Sequence, residues 1–192
     1  NSSLFGDGKE MEALLLGDVD KLAVIDADDW RTKAANEQRA VALVQKRLPI
    51  LAYHLDVAME CAKAANAQID QNDELAGIFD IGDAERSIFW QENGVWLRGR
   101  PDLIARGHKA RGIVLDLKTT GASANPEHWS QRQLYDIGAD IQSAWYTRGL
   151  KAITGDAYDF RFAVIETEPP FACSILALGP ATQEKADKKA DE

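Results

Sequence analysis

The chain has 192 residues, 45% of them apolar, which is enough for one domain with a substantial core and ordinary for a soluble globular protein. The cysteines Cys61 and Cys173 fit neither a disulfide framework nor a four-ligand zinc or iron–sulfur site, so they read as small buried hydrophobes in a reducing cytoplasm, with a single disulfide left open. No apolar run approaches the ~20 residues a bilayer span needs. The start Asn1-Ser2-Ser3 is not a signal peptide, the missing initiator Met suggests a fragment or processed form, and a formal net charge of −9 argues at first against a partner held by its phosphates.

In chain order, Glu10 to Leu16 reads as a short helix. Asp26 to Arg47 reads as a long one, capped by Asp26 or Asp28, with Ala34, Ala40, Val41, Val44 and Leu48 at helical spacing until Pro49 stops it. A further helix spans about Tyr53 to Ile69, with Leu55, Ala58, Met59, Ala62 and Ala65 on its apolar side, and Glu74 to Phe79 adds a turn or two. Residues 1–80 are thus expected to be mainly helical. The period then becomes two: Ser87 to Trp90, a turn at Glu92-Asn93-Gly94, and Val95 to Leu97 predict a hairpin. Residues 106–109 turn into a second apolar run. A loop over Gly121 to Pro126 leads into helices at about Glu127–Tyr135 and Ala139–Ile153, broken near Gly138. Asp159 to Ile165 and Ala172 to Leu178 are strand-like, separated by Pro169-Pro170, and a charged, helix-compatible tail follows from Thr182. One domain over 1–192 accounts for all of this, with a mixed strand-and-helix part over 85–178 after the helical start.

The chemistry concentrates in two runs, Leu97 to Ile104 and Ile113 to Thr120. Each delivers a carboxylate, Asp102 and Asp116, and the second adds Lys118. Because strand side chains alternate, Val114, Asp116 and Lys118 share one face and Ile113, Leu115 and Leu117 the other. Two carboxylates beside an ammonium can hold a hard divalent cation and orient a water. On the later helix, Gln142 and Tyr146 lie one turn apart on one face, able to brace that lysine or reach a substrate strand.

Charge is unevenly distributed. Residues 98–151 hold nine basic side chains against five acidic ones, whereas residues 1–97 hold eighteen acids against nine bases. An acidic exterior around a basic working groove is compatible with DNA.

Gly99-Arg100-Pro101-Asp102, then Asp116-Leu117-Lys118-Thr119-Thr120, then Gln142-x-x-x-Tyr146 resemble the PD-(D/E)XK nuclease superfamily. Within it the chain is most similar to the RecE-like (exonuclease VIII) group of phages and prophages, which Glu85 to Trp90 and Pro169-Pro170-Phe171 also match. The resemblance implies an α/β core, a central mixed β-sheet flanked by helices. It implies Asp102, Asp116 and the Leu117 carbonyl as ligands of Mg²⁺ (or Mn²⁺), Lys118 orienting the attacking water, and Gln142 and Tyr146 supporting the site. Arg100, Thr119 and Thr120 would meet DNA. Where that group usually carries a His in the first helix, this chain has Glu12, a competent oxygen donor and the candidate third side-chain ligand. Glu85 is a candidate carboxylate behind the ligands, or an exposed strand-edge residue.

The activity so implied is 5′→3′ degradation of linear double-stranded DNA for recombination, with a single-strand annealing protein as partner and a ring-shaped homo-oligomer as assembly. A related nuclease of other polarity, or with single-strand or endonuclease specificity, is the alternative. A non-catalytic DNA-binding module is the alternative of another class, although a lapsed site has no physical reason to keep two like charges converging. Other residues read more plainly: His54 as core-adjacent, His108 and His128 as surface, Trp90 and Trp96 as sheet packing. Trp30, Trp129 and Trp145 read as core before DNA stacking.

Overall fold

The computed structural model of the protein describes residues 8–107 and 111–191, so the start of the chain, His108 and Lys109 in the expected turn, and Glu192 lie outside the described residues. Helix α1 (Lys9–Leu15), close to the expected bounds, buries Met11, Ala13 and Leu15.

The next stretch departs from expectation. A short 3-10 turn, Val19–Lys21, leads into strand β1 (Leu22–Ile25), and only then comes helix α2 (Lys33–Val44). Its cap is Thr32, whose hydroxyl accepts the Ala35 N–H at 3.2 Å, and neither Asp26 nor Asp28 caps it. Strand β2 (Leu48–Leu51) runs parallel to β1, pairing Ala23 with Pro49, so Pro49 sits inside a two-stranded sheet where both strands are edges that tolerate its missing N–H. The helix turns its small residues inward, Ala35 and Ala42, and leaves Val44 85% exposed; the expected stripe is its outer face. Residues 22–51 therefore form a β-α-β unit within the expected helical region.

Helix α3 (Ala52–Asp70) follows, burying Ala58, Ala62, Ala65 and Ile69, while Met59 faces solvent. His54 is half-buried beside Tyr53, with ring centroids 4.0 Å apart. After the one-turn α4 (Ile78–Ile81) and β3 (Asp83–Ala84) comes the hairpin of β4 (Ile88–Glu92) and β5 (Val95–Gly99). Its turn residues Asn93 and Gly94 have φ of 50° and 80°, the left-handed pair that a tight hairpin with matching strand twist requires. This register puts Trp90 opposite Leu97 and Trp96 opposite Gln91, so the two tryptophans point to opposite faces. Trp90 packs inward; Trp96, expected beside it, is 71% exposed. Trp129 is buried, Trp30 lies under the Arg39 guanidinium, and half-buried Trp145 donates its indole N–H to the Arg98 carbonyl at 2.9 Å.

The expected apolar run 97–104 is not one strand. It breaks over Arg100-Pro101-Asp102, and β6 (Leu103–Ala105) belongs to the central sheet, apart from β5. That sheet is completed by β7 (Gly112–Thr120), β8 (Tyr158–Glu166) and β9 (Cys173–Leu176) in the order β3-β6-β7-β8-β9, with β7 and β8 parallel and the other pairs antiparallel. Between β7 and β8 the chain crosses over through α5 (Pro126–Arg132), capped by Asn125, and α6 (Ala139–Thr154). Helix α7 (Pro180–Ala190) closes the described chain.

Strand alternation divides the core. Val114, Phe160, Phe162 and Val164 pack with Ile88, Trp90, Trp129 and Leu150 from the hairpin and helices α5 and α6. Leu115, Ala163 and Ile165 on the other face pack against α3, α1 and the segment around Leu75 and Ile78. The result is a mixed α/β architecture, a central mixed sheet between helical layers, as expected. Cys61 is buried and Cys173 half-buried; both are free thiols, pushed by burial up to about 11 and about 12, so the disulfide left open is not formed. Among the described residues no helix is long and apolar enough to cross a membrane.

Candidate active site

The site begins where β6 ends. Leu103 pairs with Leu115, and beyond that pair β7 has no strand on its β6 side. The Leu117 N–H would be orphaned there, and Asp102 Oδ2 accepts it at 2.7 Å. The carboxylate replaces a missing strand residue and is fixed next to Asp116. On the same face of β7, two residues on, Lys118 Nζ forms an ion pair with Asp116 Oδ2, and Asp116 itself is 1% exposed.

These groups feel one another. Burial, then repulsion from Asp116 and Glu12, pushes the Asp102 carboxyl up to about 7, against the opposing pull of the Leu117 N–H and Lys118. Burial also raises Asp116, with Lys118 pulling it back. Glu12 on α1 is raised by burial and by Asp116, opposed by Arg100, Lys118 and Lys21. Helix α1 thus carries Glu12 within electrostatic reach of the carboxylate pair. Its seat is tight: Gly8, at φ +86°, lies so close to Thr119 that a Cβ there would stand 2.4 Å from the threonine hydroxyl.

Helix α6 supplies the opposite wall. Tyr146 rests on Gly99, where an added Cβ would meet its ring at 3.0 Å. Burial and the charges of Asp116 and Asp102 raise the phenol, while a hydrogen bond from the Gln142 amide lowers it. The Gln142 Oε1 atom is buried with no hydrogen-bond partner among the described residues. A cleft of about 700 Å³ opens between the hairpin and α6, lined by Arg98, Arg100, Gln142, Trp145 and Tyr146 among others.

Behind the site, Glu85 is neither an isolated edge residue nor a neighbour of the carboxylates through its own oxygens. Its N–H donates to the Asp102 carbonyl at 2.7 Å, and its carboxylate pairs with Lys21 and, at 3.2 Å, with Arg100. Lys21 went unnoticed in the sequence because nothing local marks it. Arg100 remains largely exposed, as a DNA contact requires, and Thr119 is half-buried. Thr120 is a correction: it is buried, and its hydroxyl accepts from Gln133 at 3.0 Å and from the Ala122 N–H at 3.1 Å, so it shapes the turn after β7 and offers DNA nothing. Half-buried His128 stands at the start of α5.

The donor set suits a hard divalent cation. Asp102, Asp116, Glu12 and the Leu117 carbonyl offer oxygen alone, and the raised carboxyls of Asp102 and Asp116 mark a surplus of buried negative charge that a cation would relieve. Among the described residues no three His, Cys, Asp or Glu side chains stand together closely enough to hold a metal ion, so Glu12, Asp102 and Asp116 would have to draw together around a cation. Lys118 takes up the Asp116 oxygen instead, so coordination requires that ion pair to loosen.

Comparison with known proteins identifies the family and a shared fold. The model of a family described as a PDDEXK-like domain of unknown function (DUF3799) matches residues 6–192. No protein of curated function matches the chain. Among solved structures, a Eubacterium rectale protein named "putative exonuclease" has the same fold: TM-score 0.55, 15% identity, covering 100% of this chain and 71% of its own. The solved structure of SSO0001 is 14% identical and covers 95% of this chain and 84% of its own, at a TM-score of 0.36.

Proposed function

The chain belongs to the family of PDDEXK-like domains, and from that premise we propose that it is a metal-dependent exodeoxyribonuclease that hydrolyses linear double-stranded DNA, 5′→3′, in phage-type recombination. The observation that carries the reading is the convergence of Asp102 and Asp116 beside Lys118, with Asp102 locked onto the Leu117 N–H. Mg²⁺, or Mn²⁺ in its place, would be held by Asp102, Asp116, the Leu117 carbonyl and Glu12. Bound there, it supplies positive charge that eases deprotonation of a water and offsets charge on the phosphoryl oxygens.

The chain's own groups do the rest. Lys118, released from Asp116 when the cation takes that oxygen, orients the attacking water and adds positive charge on its side of the phosphate. Arg100, exposed and braced by Glu85, reaches the DNA backbone. Tyr146, its phenol raised, stays protonated at neutral pH and can donate to a phosphate oxygen, with Gln142 fixing its hydroxyl. The similarity of the motifs to the RecE-like group supports the exonucleolytic polarity, a ring-shaped homo-oligomer and a single-strand annealing partner.

The test is incubation with Mg²⁺ and linear duplex labelled at the 5′ or the 3′ end, beside a closed circle. Early release of the 5′ label with an intact circle is expected. Cutting of the circle would overturn the exonuclease assignment, and prior loss of the 3′ label would overturn its 5′→3′ polarity.

A further inference from the structure

The outer face of the β4–β5 hairpin has a composition that packing does not explain. Register pairs Phe89 with Arg98 and Gln91 with Trp96, so these four side chains share one face, while Trp90, Leu97 and Gly99 turn toward α6. Phe89 is 59% and Trp96 71% exposed. Among the described residues neither ring contacts another aromatic ring, and Arg98 makes no ion pair. Large aromatics are usually withdrawn from water, so two bare rings on one short hairpin mark a surface that something else covers.

Chemistry and position restrict the occupant. Arg98 stands directly opposite Phe89, and Arg100 follows two residues later, a cationic edge on a chain whose net charge is −9. Phe89, Arg98 and Arg100 also line the cleft that continues to Gln142 and Tyr146, so one edge of the face borders the wall that α6 gives the site. Rings to stack on, with guanidiniums beside them, match a nucleic-acid strand whose bases are free. A duplex keeps its bases stacked inside and offers those rings only its edges.

We propose that the outer face of the β4–β5 hairpin binds unpaired single-stranded DNA next to the catalytic cluster, Phe89 and Trp96 stacking on bases and Arg98 holding the phosphate backbone between them. This rests on the nuclease reading for its ligand and adds to it a site for the strand freed at a duplex end.

The experiment uses the whole chain in EDTA, so that nothing is cut, with fluorescein-labelled oligo-dT of about 12 nucleotides and a blunt duplex of equal length, read by anisotropy. Phe89→Ala and Trp96→Ala should each weaken oligo-dT binding about tenfold, with far less effect on the duplex. Phe89→Leu, which keeps apolar bulk without a ring, should weaken it as well. Absence of oligo-dT binding by the unmodified chain, unchanged affinity in both alanine variants, or equal losses for duplex and single strand would each overturn the proposal. So would a lower mass of Trp96→Ala in light scattering with unchanged DNA affinity, which would assign the face to contact between copies. The nuclease reading is tested apart, by cleavage with Lys118→Ala: a fully active variant defeats that reading whatever the anisotropy shows.

Discussion

Asp102 Oδ2 and the Leu117 N–H lie 2.7 Å apart, so one carboxylate both terminates the sheet and defines the proposed metal site. The two roles separate by substitution. Asp102→Asn keeps an acceptor for the N–H and removes a buried charge; the variant should fold with undiminished stability in EDTA and lose cleavage. Asp102→Ala leaves the N–H unpaired and should cost about 1–3 kcal/mol in urea unfolding. Equal stability of the two variants would contradict the structural half of this account.

Lys118→Ala should reduce cleavage by about 10²–10³-fold, the scale of losing one charge-stabilising donor. It also strips Asp116 of its ion-pair partner inside the protein, so the variant should melt lower than the parent in EDTA. Mg²⁺ should restore the melting temperature and leave cleavage lost. Restoration of both would remove Lys118 from the chemistry.

The raised Asp102 carboxyl gives the metal-free protein a pH signature. Its folded value, about 7, lies above the ordinary unfolded value near 4, so its contribution to stability is complete below the unfolded value and is lost as pH rises through about 7. Melting temperatures in EDTA should therefore fall between pH 5 and pH 8 more steeply for the parent than for Asp102→Asn. Saturating Mg²⁺ should flatten the difference. Parallel curves for the two proteins in EDTA would count against the shift.

Glu12→Gln keeps the size of the side chain and removes its charge. Calorimetric titration with Mn²⁺ should show affinity weakened about tenfold, with Asp116→Asn losing more. Unchanged affinity in Glu12→Gln would leave the two aspartates as the whole side-chain set.

Helix α7 is held to α6 partly by Lys189, whose ammonium is 2.6 Å from Asp140 Oδ2, and Asp140 is 1% exposed. Lys189→Ala should destabilise the protein by about 1–3 kcal/mol in denaturant unfolding, and adding Asp140→Asn should recover part of the loss. No recovery in the double variant would mean that the packing of α7, not the charge, carries the contact.

Much of this was legible in the chain. Alternation alone placed Asp116 and Lys118 on one face, and the motif spacing brought in Asp102, Gln142 and Tyr146. The hairpin was legible but its register was not: a turn over Glu92-Asn93-Gly94 sets Trp96 opposite Trp90, whereas the two-residue turn at Asn93-Gly94 pairs Trp96 with Gln91 and sends the two rings to opposite faces. The β-α-β unit over 22–51 was hidden because Leu22–Ile25 is a continuous apolar run without alternation, and because α2 buries alanines while displaying valines. Thr120 misled because a hydroxyl after a catalytic strand looks available, and only the fold reveals Gln133 beside it. Lys21 and Glu85 pair across 64 positions, a separation that no local pattern reports.

The contact between Gly8 and Thr119 ties the first helix to the strand that carries Lys118. Asp102, Asp116, Lys118, Gln142 and Tyr146 all fall within one stretch of chain from the hairpin to α6, whereas Glu12 arrives only when this seven-residue helix docks. With Glu12 as a ligand of the proposed site, cation affinity and helix docking would be reciprocal quantities: whatever loosens α1 would weaken the ion's hold, and a bound ion would slow amide exchange along α1 by the same free energy. The amino-terminal segment is in that sense a reporter of occupancy, readable without any DNA present.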